Sequence, residues 1–362
     1  MIKRALPFSA LAFILAACGS TPPLGPPPPA PTVASAEPVA SASAAPTTSA
    51  SATPPEPTPE EKKKAEALKK LQEDRAKWEE ANKQETARWT PELHKEAKTL
   101  ADKVFATGKD ALKAAMAGHH RAPGHADRDK YRHPLETMEF FGFKPTMQVL
   151  DIGPGEGWWT ELLAPSLAKK GKYYATNGDP NGPADSRGTF YAQRFKAFLD
   201  HSPEAYGKVE LVTISDPKNP KIGMDGQLDM VMIMRGLHGM KNSGTINAWL
   251  AEAFKALKPG GVLAIEEHRA AAGANPDETS KKGYLPEQWV IDTIQAAGFK
   301  LAPNGKSEIN ANPKDTKDYP EGVWTLPPSL ELKDKDREKY LAIGESDRMT
   351  LKFIKPIVKA AK

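Results

Sequence analysis

The sequence predicts an α/β domain built on a mainly parallel sheet, and two observations carry that prediction. Strand-like and helix-like segments alternate from about residue 128 to the C-terminus, and the first strand runs straight into a glycine-rich turn followed by a helix. Strands are expected at 147–152, 172–177, 209–214, 228–234, 261–267, 299–302 and 349–354, with helices at 159–169, 190–199, 246–257 and 286–297. Such alternation produces crossover units whose helices cover both faces of a parallel sheet. The turn itself reads Val149-Leu150-Asp151-Ile152-Gly153-Pro154-Gly155-Glu156-Gly157. Glycines without a Cβ let backbone N–H groups come close to a ligand, which then sits at the carboxyl ends of the strands.

Spacing separates the two ligands that such a turn commonly serves. Dinucleotide folds use G-x-G-x-x-G, and here the third glycine of that pattern would fall at Trp158. The actual pattern is D-x-G-x-G-x-G, with Asp151 two residues before the first glycine.

Upstream of this domain the chain changes character. The 362 residues include 34 prolines and are 39% hydrophobic, so one globular domain with accessory segments is expected. Met1-Ile2-Lys3-Arg4 is basic and residues 5–17 form an apolar run too brief to span a bilayer, which is the layout of a signal peptide. The run ends at Cys18, the only cysteine of the chain. Residues 19–57, rich in Pro, Ala, Ser and Thr, cannot repay the entropy of folding and read as a semi-extended linker. Residues 58–118 read as helical. Thr58-Pro59-Glu60-Glu61 combines an N-cap hydroxyl, a proline at the first helical position and an acid three residues after the cap. The helix it starts reaches about Trp89 and, with sparse apolar positions, reads as a solvated spacer in preference to a coiled coil. Thr90-Pro91-Glu92 starts a second helix that can pack on a core. Residues 119–362 then form the α/β domain. A net charge of +4, with both signs interspersed, excludes an electrostatic case for nucleic acid.

Two resemblances sharpen this outline. Leu15-Ala16-Ala17-Cys18-Gly19 resembles the lipobox of bacterial lipoproteins, which implies lipidation of Cys18 and a membrane anchor; Gly19 in place of Asp favours the outer membrane, periplasm-facing. The D-x-G-x-G-x-G turn resembles motif I of the class I S-adenosylmethionine-dependent methyltransferases, with 228–231, 257–263 and 348–353 similar to later strands of that fold. More narrowly, Arg128-Asp129, Arg132-His133-Pro134, Glu139-Phe140-Phe141-Gly142, Gly157-Trp158-Trp159-Thr160-Glu161 and Asp347-Arg348 resemble a bacterial family of predicted, often exported methyltransferases. The resemblance implies a Rossmann-like, seven-stranded sheet with the last strand antiparallel, S-adenosylmethionine as methyl donor, and an unassigned small-molecule or envelope-component acceptor.

It also implies residue roles. Gly153, Gly155 and Gly157 would let the donor approach, and Asp151 would orient the turn or meet the donor's ammonium. The second strand of the family usually ends in an acid for the ribose; Asn177 stands there, with Asp179 two residues on. An amide binds a diol less strongly than a carboxylate. Asp216 falls where the fold meets adenine, and Arg235 where the ligand passes the fourth strand; Asp179 and Asp216, each before a proline, equally suit ordinary turns. His238 and His268 lie at the open ends of strands four and five, where an imidazole can take a proton from an acceptor, although a sulfonium donor also reacts through proximity alone. The cluster His119, His120, His125 and His133, flanked by Gly and Pro, reads as a mobile loop closing over ligand with Arg128 and Arg132, and not as a metal site. Two other readings stay open: a methyltransferase fold retained as a ligand-binding module, which the Asn177 departure fits, and a structural envelope lipoprotein.

Overall fold

The computed structural model describes residues 58–317 and 337–357, so the signal segment, Cys18 and the Pro-rich linker lie outside the described residues. Strands β1 (Gln148–Asp151), β2 (Lys172–Asn177), β3 (Glu210–Thr213), β4 (Leu228–Met234), β5 (Leu257–His268), β6 (Lys300–Ser307) and β7 (Arg348–Ile354) form one sheet in the order β3-β2-β1-β4-β5-β7-β6. All pairs among β1 to β5 are parallel, and β7 runs antiparallel to both β5 and β6. This is the class I methyltransferase-like sheet expected from the sequence.

The helices are α1 (Pro59–Arg88), α2 (Pro91–Asp102), α3 (Gly108–Met116), α4 (Asp129–Arg132), α5 (Pro134–Phe141), α6 (Trp158–Leu167), α7 (Arg187–Asp200), α8 (Pro203–Tyr206), α9 (Leu237–Asn242), α10 (Ile246–Ala256), α11 (Pro276–Thr279), α12 (Glu287–Ala296) and α13 (Arg337–Ile343). None of the described helices is long and apolar enough to cross a membrane.

Two cores lie on the two faces of the sheet, and strand alternation sorts residues between them. Leu150, Val231, Ile233, Leu263 and Ile265 pack with Leu250 of α10 and Ile291 and Ile294 of α12. Val149, Tyr173, Met230, Met232 and Ala264 face the other way, onto Leu162 and Leu163 of α6 and Leu112 of α3. Burial on both faces explains why β4 reads as a continuous apolar run. Every residue of α6 is buried, because α2 and α3 cover the side turned away from the sheet.

Helix α1 begins with the expected reciprocal cap: Glu61 N donates to Thr58 Oγ1 at 3.3 Å and Thr58 N to Glu61 Oε2 at 2.7 Å. The spacer reading needs correction. Among α1 residues only Leu71 is buried, yet the helix is docked along α7 by Trp78 edge-on to Phe190 (5.8 Å between rings), Arg75 Nη1 on Gln193 Oε1 (2.7 Å) and Arg187 on Asp74 (2.8 Å). A few well-placed anchors on a mostly polar helix leave almost no periodic signal in its sequence. Strand β6 also runs past its expected end, because Lys306 and Ser307 pair with Leu351 and Thr350 after a register shift that absorbs Pro303-Asn304-Gly305.

Candidate functional site

The glycine turn at the end of β1 is held open by its backbone. Gly153, Gly155 and Gly157 have φ of 77°, 62° and 88°, a region costly for residues with a Cβ. A Cβ on Gly153 or Gly155 would meet no protein atom within 4 Å, so both face open cleft. Gly157 differs: a Cβ there would lie 2.6 Å from the Phe198 ring, and the residue caps α6. The turn is tied to β2 by Gly153 N donating to Thr176 Oγ1 at 2.9 Å.

Two chambers meet at this turn, sharing Gly153, Pro154, Gly155 and Glu156. The first, about 600 Å³, is walled by Thr176, Asn177, Tyr191, Phe195, Ile214 and Trp249. Its one amide with a defined partner is Asn177, whose Nδ2 donates to Ala192 O at 3.2 Å, leaving Oδ1 as an acceptor. The second, about 410 Å³, is lined by His125, Arg128, Arg132, Asp151, Arg235, His238 and His268 together with Trp158 and Trp159. One cleft thus has an apolar half and a cationic half.

Asp151 sits at the floor of the cationic half. It accepts from Tyr173 OH at 2.7 Å through Oδ2, while its buried Oδ1 has no hydrogen-bond partner among the described residues. Burial raises this carboxyl to about 6, against the pull of the Tyr173 hydrogen bond and of Arg235. The arginines on the wall are ordered from behind by Glu345, which accepts from Arg128 Nε at 2.6 Å, Arg132 Nε at 3.1 Å and Arg348 Nη1 at 2.8 Å. Burial would lift Glu345, but Arg132, Arg348, Arg128 and Arg235 together hold it down at about 2.

His238, at the start of α9, is gripped by Glu267 of β5. Its Nδ1 lies 2.9 Å from Glu267 Oε1 and its backbone N donates to Oε2 at 3.1 Å. A carboxylate can only accept, so Nδ1 carries the proton and Nε2 is the basic nitrogen. Burial works against a charged imidazole here, yet the charge and hydrogen bond of Glu267 prevail and raise His238 above its ordinary value. His268 is the contrast. Buried, with Nδ1 2.6 Å from Ser346 Oγ, it is pushed well below the usual imidazole value by burial first and by His238, Arg235, Arg348 and Arg132 after that. The two rings are 5.6 Å apart. Ligand atoms of His238, Glu267 and His268 lie within 4.8 Å of one another, a donor set that zinc or iron accepts. Glu267, however, already receives three N–H donors, the backbone N of His238 and His268 and the His238 ring, which a cation would have to displace.

Several expected site residues therefore come together, and others do not. Asp151, Gly153, Gly155 and Asn177 line the cleft, and His238 and His268 stand on its cationic wall. Arg235 belongs to that wall as well, away from the apolar half. Asp179 and Asp216 line neither chamber. Both are exposed and accept from the backbone two residues on, Asn181 N at 2.8 Å and Lys218 N at 2.9 Å, so they are turn formers; Ile214 and Pro217 line the cleft beside Asp216 instead. Gly157 is a helix cap and lines neither chamber. The histidine-rich loop is pinned: buried Glu161 of α6 accepts from Ala122 N at 2.7 Å and His125 Nδ1 at 2.9 Å, and the His120 ring reaches Glu161 O at 2.8 Å. Thr176, Glu267 and Glu345 were missed. Only Glu267 left a trace, as an acidic pair closing an otherwise apolar strand.

Residues 124–309, just over half of the 362-residue chain, match a family model described as a methyltransferase domain. Over 142 residues the chain is 25% identical to a non-reducing polyketide synthase of Penicillium brevicompactum, a match that covers 38% of this chain and about 5% of the synthase. Similar solved structures include an S-adenosylmethionine-dependent methyltransferase from Aquifex aeolicus (20% identity, TM-score 0.38, 56% of this chain and 92% of that one). Another is phosphoethanolamine N-methyltransferase 2 of Haemonchus contortus in complex with S-adenosyl-L-methionine (14% identity, TM-score 0.42, 72% of this chain and 60% of that one). With its family model spanning the glycine turn, both chambers' strands and the His238–Glu267 pair, the chain belongs to the methyltransferase-domain family.

Proposed function

We propose that this protein is an S-adenosylmethionine-dependent methyltransferase that uses His238, held by Glu267, as general base toward an acceptor with a removable proton. The observation that carries the donor half is Asp151 Oδ1, a buried acceptor with no partner among the described residues, beside a glycine turn where a Cβ would protrude into the cleft. That oxygen fits the donor's ammonium; the Asn177 carbonyl fits a ribose hydroxyl; Tyr191, Ile214 and Trp249 offer adenine an apolar enclosure. The bound donor supplies a methyl group already activated on a sulfonium. Asp151 and the turn orient it, and the apolar half excludes water from its nucleoside. His238 Nε2 would take the acceptor's proton and so free the acceptor's electron pair for the methyl group, the donor being left as a neutral thioether. Glu267 fixes the tautomer that makes this possible, while His268, kept neutral, packs beside it.

We also propose that Cys18 anchors the domain to the outer membrane through lipid, which Cys18→Ser tests: the variant is expected in the soluble fraction, and its retention on membranes overturns the anchor.

Calorimetry on the full chain in detergent tests the donor. S-adenosylhomocysteine is expected to bind, and Gly155→Val, which forces a β-branched residue into left-handed backbone, to weaken it on the order of 100-fold. No binding to the wild type sinks the proposal. For the base, labelled methyl transfer to envelope extracts is expected to fall roughly 10²- to 10⁴-fold in His238→Asn at unchanged S-adenosylhomocysteine affinity.

A further inference from the structure

Arg235 is the anomaly of the cationic chamber. Its backbone is left-handed at φ 58°, a conformation that is strained for a residue with a Cβ. The strain is held in place by Arg235 N, which donates to Glu266 O at 2.6 Å. Yet its guanidinium makes no hydrogen bond and no ion pair among the described residues, while Arg128, Arg132 and Arg348 all share Glu345 and Arg348 also takes Glu266 at 2.7 Å. Behind the wall, Glu345 is thus shared among other arginines, and Glu266 is paired to Arg348 through Oε1, its Oε2 making no hydrogen bond among the described residues. Of the carboxylates on the wall, Glu156 is ion-paired to Arg194, and Asp151 accepts from Tyr173 through Oδ2 while its Oδ1 is the acceptor assigned above to the donor's ammonium. Burial depresses the Arg235 guanidinium, and neighbouring Arg348 and Arg128 add to that against the pull of Glu266 and Glu345, so the charge sits here at a cost. A half-buried cation without a partner among the described residues is stabilised once a ligand brings the anion.

Resting on the reading above, we infer that Arg235 receives an oxyanion of the methyl acceptor, a carboxylate or phosphate, and that the acceptor is a small anion carrying its proton-bearing nucleophile beside that group. Arg235 and His238 are three residues apart on the same connection out of β4 and line the same chamber, so an anion on the guanidinium presents its neighbouring atoms to the base. A volume of about 410 Å³ suits a small molecule.

The test is calorimetric titration of inorganic phosphate into the full chain at fixed ionic strength, with and without saturating S-adenosylhomocysteine. Phosphate is expected to bind, to weaken at least tenfold in Arg235→Gln and to stay within threefold of wild type in Arg235→Lys, both variants keeping wild-type circular dichroism. Two results overturn the inference: phosphate that does not bind the wild type or binds Arg235→Gln equally well, and an Arg235→Gln that loses tenfold in S-adenosylhomocysteine affinity while keeping that for methylthioadenosine. The latter assigns the guanidinium to the donor's own carboxylate. Failure of the donor reading is separate, because it appears as absent S-adenosylhomocysteine binding, while the phosphate titration of the unloaded protein still decides the role of Arg235.

Discussion

The two halves of the cleft share one glycine turn but are built on opposite physical terms. The apolar half is closed by Tyr191, Ile214 and Trp249 and holds its only partnered amide, Asn177, by a single backbone contact. The cationic half is made of charges that hold each other in place, with Glu345 behind Arg128 and Arg132, Glu267 behind His238 and Glu161 behind His125. Apolar walls recognise by shape and respond little to pH or salt. Walls of charge recognise by sign, and Arg128, Arg132, His125 and His238 each rest on a carboxylate that lines neither chamber.

The largest effect expected from breaking this contrast comes from Glu161. Fully buried and engaged by Ala122 N, His125 and Arg121, it secures the loop that carries one edge of the cationic half. Glu161→Ala leaves buried donors unpaired and is expected to cost about 3–5 kcal/mol in urea unfolding. A loss under 1 kcal/mol would mean that the loop is not held from beneath.

Next comes pH. Asp151, raised to about 6 by burial, must be ionised to meet an ammonium, so S-adenosylhomocysteine affinity is expected to fall as pH drops through about 6, by up to about tenfold per unit below it. In Asp151→Asn the profile flattens and affinity at neutral pH is low. The same raised value means that the unliganded protein gains stability from Asp151 protonation as pH falls through about 6, the reverse of the ligand trend. Affinity that is flat between pH 7 and 5 in the wild type would remove Asp151 from donor binding.

The apolar half is expected to behave otherwise. Tyr191→Ala removes an aromatic wall and is expected to cost roughly tenfold in affinity, equally for S-adenosylhomocysteine and methylthioadenosine and equally at each pH. An effect on one ligand only would place Tyr191 at the amino-acid end. The smallest effect sharpens the dyad: by NMR of the imidazole carbons, His238 is expected to titrate above the usual histidine value and to drop in Glu267→Gln, with His268 uncharged throughout. An unchanged His238 titration would show that Glu267 does not govern it.

Much of the fold was legible because its elements obey local rules. Thr58 and Thr90 announce their helices by capping, β1 and β4 announce burial by apolar runs, and the D-x-G-x-G-x-G spacing fixes a turn that only glycine can make. Position along the chain misled where a short polar side chain had a local use. Asp179 and Asp216 satisfy backbone N–H groups two residues away, and nothing in the sequence tells such an aspartate from one that reaches a ligand.

What the sequence by itself determined is the order of strands and helices, the glycine turn and the presence of His238 near the end of β4, since each depends on contacts within a few residues. The tertiary structure alone decided which charges are paired. Glu267 reaches His238 across β4 and β5, Glu345 gathers arginines more than two hundred residues upstream, and Arg235 is left over. Pairing of buried charges depends on distances between side chains far apart in the chain, and those distances exist only once the sheet has closed.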